Sequence, residues 1–203
     1  MIDTSGPTQA PLCGVAIGAS AGGLRAVRTI VSALPADLAA AVFVVVHLDP
    51  HGRSLLPRLL AAATTLRAGD VREEGLVETG TIYVAVPDRH LVVIDRRVRL
   101  VVSDPVHYVR PAIDRLFESV AIGWQTAAVG VVLSGNGIDG TAGIAAIKRA
   151  GGVTIAQDPT DAEFPRMPCA AIASGFVDSV LPLARIASAI TGAVAVASAG
   201  RAA

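Results

Sequence analysis

The sequence predicts an α/β fold: a single-domain wound three-layer sandwich with a mostly parallel central sheet and an antiparallel hairpin region. Three observations carry this. Apolar runs of strand length alternate with segments of helical periodicity, the pattern of a wound sheet. One run, "AVFVVVHL" (41–48), is unbroken and β-branched, as expected of a strand buried on both faces. And 203 residues with 52% hydrophobic content are enough for one sizeable core.

Taken in order, "CGVAIG" (13–18) reads as the first strand and "LRAVRTIVSAL" (24–34) as the first helix, stopping before Pro35. "AVFVVVHL" is a central parallel strand, and "SLLPRLLAAAT" (54–64) a short helix. The pattern then changes. In "TIYVAVPDRHLVVIDRRVRLVV" (81–102), β-branched stretches are broken at Pro87-Asp88-Arg89 and Asp95-Arg96-Arg97, predicting antiparallel hairpins. "RPAIDRLFESVAIGW" (110–124) is a helix with a proline near its first turn. "AAVGVVLSG" (127–135) is another buried strand, followed by the helix "TAGIAAIKRAG", which Gly151 and Gly152 end. "VTIAQD", the short helix "PCAAIASG", the strand "VDSVLP" and an Ala-rich final helix complete the domain. The domain is expected over 12–195, with tails at 1–11 and 196–203.

Composition excludes several functions. Seventeen basic and seventeen acidic residues cancel, so no polyanion-binding surface is expected. Aromatics at 3% are too few for a nucleic-acid stacking platform. Cys13 and Cys169 form neither a disulfide framework nor a metal cluster and read as buried structural thiols. The start has no signal-peptide architecture, and "IASAITGAVAVASA" (186–199) is shorter than a bilayer span. A cytoplasmic protein without membrane insertion is expected.

The candidate reactive groups fall at one kind of place. Ser20 follows the first strand, His47 ends the second, and Asp139 follows "VGVVLSG". Parallel strands would bring all three to the carboxyl edge of the sheet, where such sheets bind ligands. A serine needs a base to take its proton and a group to orient that base. Gly18-Ala19-Ser20-Ala21-Gly22 also fits the G-x-S-x-G elbow that exposes a serine hydroxyl. Amides of Ala21 and Gly22 at the following helix start are placed to hold an oxyanion. Blander roles exist for each: a serine as N-cap, a histidine as loop residue, Asp139 as cap of the helix beginning at Thr141. The glycine loop lacks both the lysine of a P-loop and the G-x-G spacing of a dinucleotide site.

"IGASAGG", "VVVHLDPHGRSLLPRLL", "YVAVPDRHL", "RPAIDRLF", "VVLSGNGIDGTAGIAAIKRAGG" and "VTIAQDP…MPCAAIASGFVDSVLP" resemble, in this order, the catalytic domain of the CheB protein-glutamate methylesterases, from about Cys13 to Leu183. The resemblance implies Ser20 as nucleophile, His47 as general base and Asp139 as its orienter, without metal or organic cofactor. It implies hydrolysis of glutamyl methyl esters on a methylated chemoreceptor or related sensory protein, with release of methanol and, in some members, glutamine deamidation. A separate response regulator or a methyltransferase are implied as further partners, since no receiver domain is expected within this chain. The Asp block departs from the chemotaxis enzymes: Asn136 stands where they usually carry methionine, as in versions fused to methyltransferase modules. Asn136 and Gly137 are expected to line the site beside Ala21 and Gly22, and Met167-Pro168 to shape its wall. The alternative reading is a catalytically silent binding module of the same fold. His51 and His90 read as a loop and a structural histidine, His107 has no assigned chemistry, and Arg25, Arg53 and Arg166 stand near the proposed edge.

Overall fold

The computed structural model describes residues 13–47, 55–71 and 74–202. The expected N-terminal tail, His51 and Arg53 lie outside the described residues. The central sheet has seven parallel strands in the order β10-β9-β8-β1-β2-β5-β3. These are β1 (Cys13–Ala19), β2 (Ala40–Val46), β3 (Arg67–Asp70), β5 (Thr81–Val84), β8 (Ala128–Val132), β9 (Val153–Gln157) and β10 (Ser179–Leu181). From β1 the chain first builds β2, β5 and β3 on one side, then returns to add β8, β9 and β10 on the other. The switch falls between β1 and β8, where open α/β sheets form their ligand crevice.

Every residue of β1, β2 and β8 is buried, because helices cover both faces. Helix α1 (Gly23–Ala33) packs with α6 (Leu183–Ala202) on one face, and α2 (Leu56–Ala61) sits beside α1. Helices α3 (Ile113–Trp124) and α4 (Thr141–Arg149) pack together on the other. Two glycines in β1 let α3 approach closely. A Cβ at Gly14 would lie 2.4 Å from the Trp124 ring, and one at Gly18 would lie 2.3 Å from Ile113 Cγ2. Helix α3 therefore rests on the backbone of β1, with its N-terminus over the end of the strand that delivers Ser20.

Some expectations are corrected. Of the two hairpins, only the one turning at Asp95-Arg96 forms, as β6 (His90–Ile94) against β7 (Arg97–Val101). The segment 81–84 is instead β5, parallel to β2 and β3, so Pro87-Asp88-Arg89 is a passage between sheets. The small second sheet is completed by β4 (Gly75–Leu76); neither β3 nor β4 is evident in the sequence pattern. Helix α6 runs as one element to Ala202 where a tail from 196 was expected. Over Leu183–Gly200 it is long and apolar enough to cross a membrane. Its Ile186, Ile190 and Val194 are nevertheless buried in the core, at the i, i+4, i+8 spacing of a packed face. Cys13 is buried, but Cys169, on α5 (Arg166–Ala173), is exposed; Met167, Pro168 and Ala171 take the inward face of that helix.

Candidate active site

Sheet register brings the first two residues together. Ala19 pairs with Val46 across β1 and β2, so Ser20 and His47 leave adjacent strands at matching positions, about 4.8 Å being the strand spacing. The His47 amide donates to the Ala19 carbonyl at 3.0 Å, extending the ladder by one bond. Ser20 and His47 line one cavity of about 800 Å³ with Ala21, Gly22, Leu24, Arg25 and Glu163.

Asp139 completes the group from across the sheet. His47 Nε2 lies 2.8 Å from Asp139 Oδ2, which leaves Nδ1 as the ring nitrogen not engaged by the carboxylate. Asp139 is 3% exposed. Its Oδ2 also accepts from the Ile113 amide at 2.7 Å, and its Oδ1 from the Asp114 amide at 3.0 Å. Asp139 thus caps a helix, but it is α3 rather than the α4 that follows it. Burial pushes this carboxyl up; the bonds from His47 and the two amides outweigh that and hold it below the usual range. A carboxylate at a helix N-terminus gains from the axial dipole as well.

The Ser20 loop is fixed from below. The Ser20 amide donates to the Ser134 carbonyl at 3.0 Å, and the Gly23 amide to the Ser20 carbonyl at 2.8 Å. Ser134 Oγ donates to the Ala21 carbonyl at 2.8 Å and accepts from the Phe164 amide at 3.0 Å. Gln157 Oε1 receives the Ser134 amide at 2.9 Å. Gly22 takes φ of 70°, a left-handed conformation cheap only for glycine. The amides of Ala21 and Gly22 have no acceptor among the described residues, leaving two donors beside Ser20.

The other residues expected at the site divide. Asn136 and Gly137 are exposed, and neither lines the cavity around Ser20. The residue before them, Gly135, makes the contact: a Cβ there would lie 2.7 Å from Ser20 Cβ and 2.8 Å from Met167 Cε. Met167 is buried beneath this loop, not on the cavity wall. Arg25 lines the cavity, whereas Arg166 is exposed elsewhere. His90 is buried, accepting the Ala112 amide at Nδ1 (3.1 Å) and facing the Asp104 carbonyl through Nε2 (3.2 Å).

Ser134, Gln157 and Asp114 carry no sequence signal that marks them for the site. Asp114 is 3% exposed. Its Oδ1 accepts the Gly140 and Gly143 amides at 2.9 and 2.7 Å, and its Oδ2 lies 3.2 Å from His107 Nε2. The only sequence hint is an acidic residue in the first turn of a helix, which ordinarily caps its own helix. His107 stands on a tight turn in which Val106 and Val109 exchange two backbone bonds. His107 and Tyr108 have φ of 50° and 64°, the two central positions of a type I′ turn. His107, Asp114 and Asp139 offer ligand atoms within 4.8 Å of one another. Main-chain N–H groups already donate to both carboxylates; burial, with the Asp139 charge beside it, nonetheless raises the Asp114 carboxyl.

Comparison with known proteins agrees with this architecture. The description CheB methylesterase matches residues 15–190. A Symbiobacterium thermophilum protein described as protein-glutamate methylesterase/protein-glutamine glutaminase is 40% identical over 181 residues, covering 89% of this chain and 50% of that protein. A Burkholderia orbicola protein of the same description, numbered 3, is 38% identical over 193 residues, covering 95% of this chain and 57% of its own. The chain therefore spans about half the length of these relatives. The crystal structure of the Thermotoga maritima CheB methylesterase catalytic domain superposes with a TM-score of 0.84 at 32% identity, over 89% of this chain and 97% of that one. On the extent of these matches, the chain belongs to the CheB methylesterase family.

Proposed function

We propose that the chain is a cytoplasmic serine hydrolase that removes methyl esters from glutamyl side chains of a chemoreceptor-like protein. One observation carries the reading most: the 2.8 Å His47–Asp139 bond stands beside Ser20, on strands in register. Ser20 Oγ attacks the ester carbonyl as His47 takes its proton at Nδ1. Asp139, kept ionised by the α3 amides, fixes the tautomer with Nε2 protonated and stabilises the imidazolium. The Ala21 and Gly22 amides hold the tetrahedral oxyanion; one such donor is typically worth about a hundredfold or more in rate. His47 then protonates the leaving methoxide, methanol departs, and water cleaves the acyl-serine by the same route. With a glutamine substrate the leaving group would be ammonia, the second activity in the relatives' description.

The cavity extends from Ser20 along α1, where Arg25, Arg28, Thr29 and Ser32 share one face at i, i+3, i+4 and i+7 spacing. Leu24 and Leu59 add apolar surface. This suits a protein substrate carrying acidic groups near the ester. Methanol release from a methylated chemoreceptor tests the reading: wild type should release it and Ser20→Ala should not. Equal release by both would refute the nucleophile.

A further inference from the structure

The glycine at the N-cap of α4, Gly140, has no side chain to satisfy the helix's first amides, and Ala112 at the N-cap of α3 has none that can. Exposed amides at a buried helix start are costly to leave unpaired. The two helices solve this for each other. Asp139, just before α4, receives the first two amides of α3, Ile113 and Asp114. Asp114, in the first turn of α3, receives the amides of Gly140, the N-cap of α4, and of Gly143 within α4. The contact is close because a Cβ at Gly143 would lie 2.4 Å from Phe117 Cβ and 3.2 Å from Asp114 Cα.

The exchange matters because Asp139 has two jobs. Its Oδ2 serves both the Ile113 amide and His47 Nε2, so its direction is set by where the backbone at 139–140 sits. Asp114 holds that backbone by the Gly140 amide, the next residue along. His107 closes the arrangement at Asp114 Oδ2. We infer that Asp114 is a positioning residue for the hydrolytic site, aiming the Asp139 carboxylate at His47 through reciprocal capping of α3 and α4. It acts through Asp139 and touches no reacting atom. The inference rests on the hydrolase reading.

The test uses Asp114→Ala and Asp114→Asn. In each, the rate of phosphonylation by a fluorophosphonate is measured, together with the His47 Nε2 proton resonance, assigned by its loss in His47→Gln. Asp114→Ala should slow labelling by about ten- to a hundredfold, the scale of misplacing a reacting group by up to an ångström. It should also shift or broaden the imidazole resonance while the protein remains folded at the assay temperature. Asp114→Asn keeps a carbonyl oxygen for the Gly140 and Gly143 amides, so it should restore the resonance and bring labelling to within a few-fold of wild type. A folded Asp114→Ala with wild-type labelling and resonance overturns the inference. So does a folded Asp114→Asn that loses both, which decides the matter even where the alanine variant fails to fold. Absence of any label on wild-type Ser20 would instead overturn the hydrolase reading, and the resonance would still test Asp114.

Discussion

Gly18 shows how a residue without a side chain can govern a site. Its bare backbone lets Ile113, the first residue of α3, sit on β1, and the Ile113 amide is what Asp139 grips. Gly18→Ala should destabilise the fold by about 1–3 kcal/mol in urea denaturation, the usual cost of overpacking. Gly69→Ala, with nothing within 4 Å of the new Cβ, should lie near neutral in the same measurement. His90 offers a second residue-scale test. Burial lowers its pKa, the Arg115 and Arg110 charges adding to this and the bond to the Asp104 carbonyl opposing it, and the neutral ring accepts the Ala112 amide. A depressed histidine contributes stability that is present above about pH 6.5, its unfolded value, and is lost as pH falls through the folded value. Unfolding free energy should therefore fall on acidification below that point, and His90→Phe should flatten this dependence. An equal slope in the variant would contradict it.

At the scale of elements, sequence periodicity found what is repetitive and missed what depends on partners. The run 40–46 announces a doubly buried strand, and α1 and α4 begin at the expected turns. Segment 81–84 reads as half of a hairpin but joins the parallel sheet, because alternation does not say which sheet a strand joins; its neighbours β2 and β3 decide that. Strands β3 and β4, of four and two residues, are too short to carry a period. The face of α1 that lines the cavity is the surface that the proposed protein substrate would meet. Arg28 is exposed there, so Arg28→Glu should raise KM for a methylated protein substrate several-fold through repulsion of acidic neighbours. Its kcat should stay within about twofold. An unchanged KM would remove this helix from substrate recognition.

Over the whole molecule, seven parallel strands with a reversal at β1 bring Ser20, His47 and Asp139 to one edge from three separate stretches of chain. That convergence was legible because strand ends can be read and parallel sheets deliver their ends together. What could not be read was the second tier: Asp114, Ser134 and Gln157 work only through helix termini and loops that meet in space. Nor does the glycine-rich loop reveal that Gly135 packs on Ser20 while Asn136 faces solvent.

The proposed function rests on one hydroxyl, that of Ser20, which His47, held by the buried Asp139 carboxylate, would make reactive. The direct measurement is peptide mass spectrometry after reaction with a fluorophosphonate. The expected result is a single adduct on the peptide bearing Ser20, formed at a rate that falls by orders of magnitude in His47→Ala. An adduct elsewhere, or one on Ser20 at the same rate without the imidazole, would contradict the account.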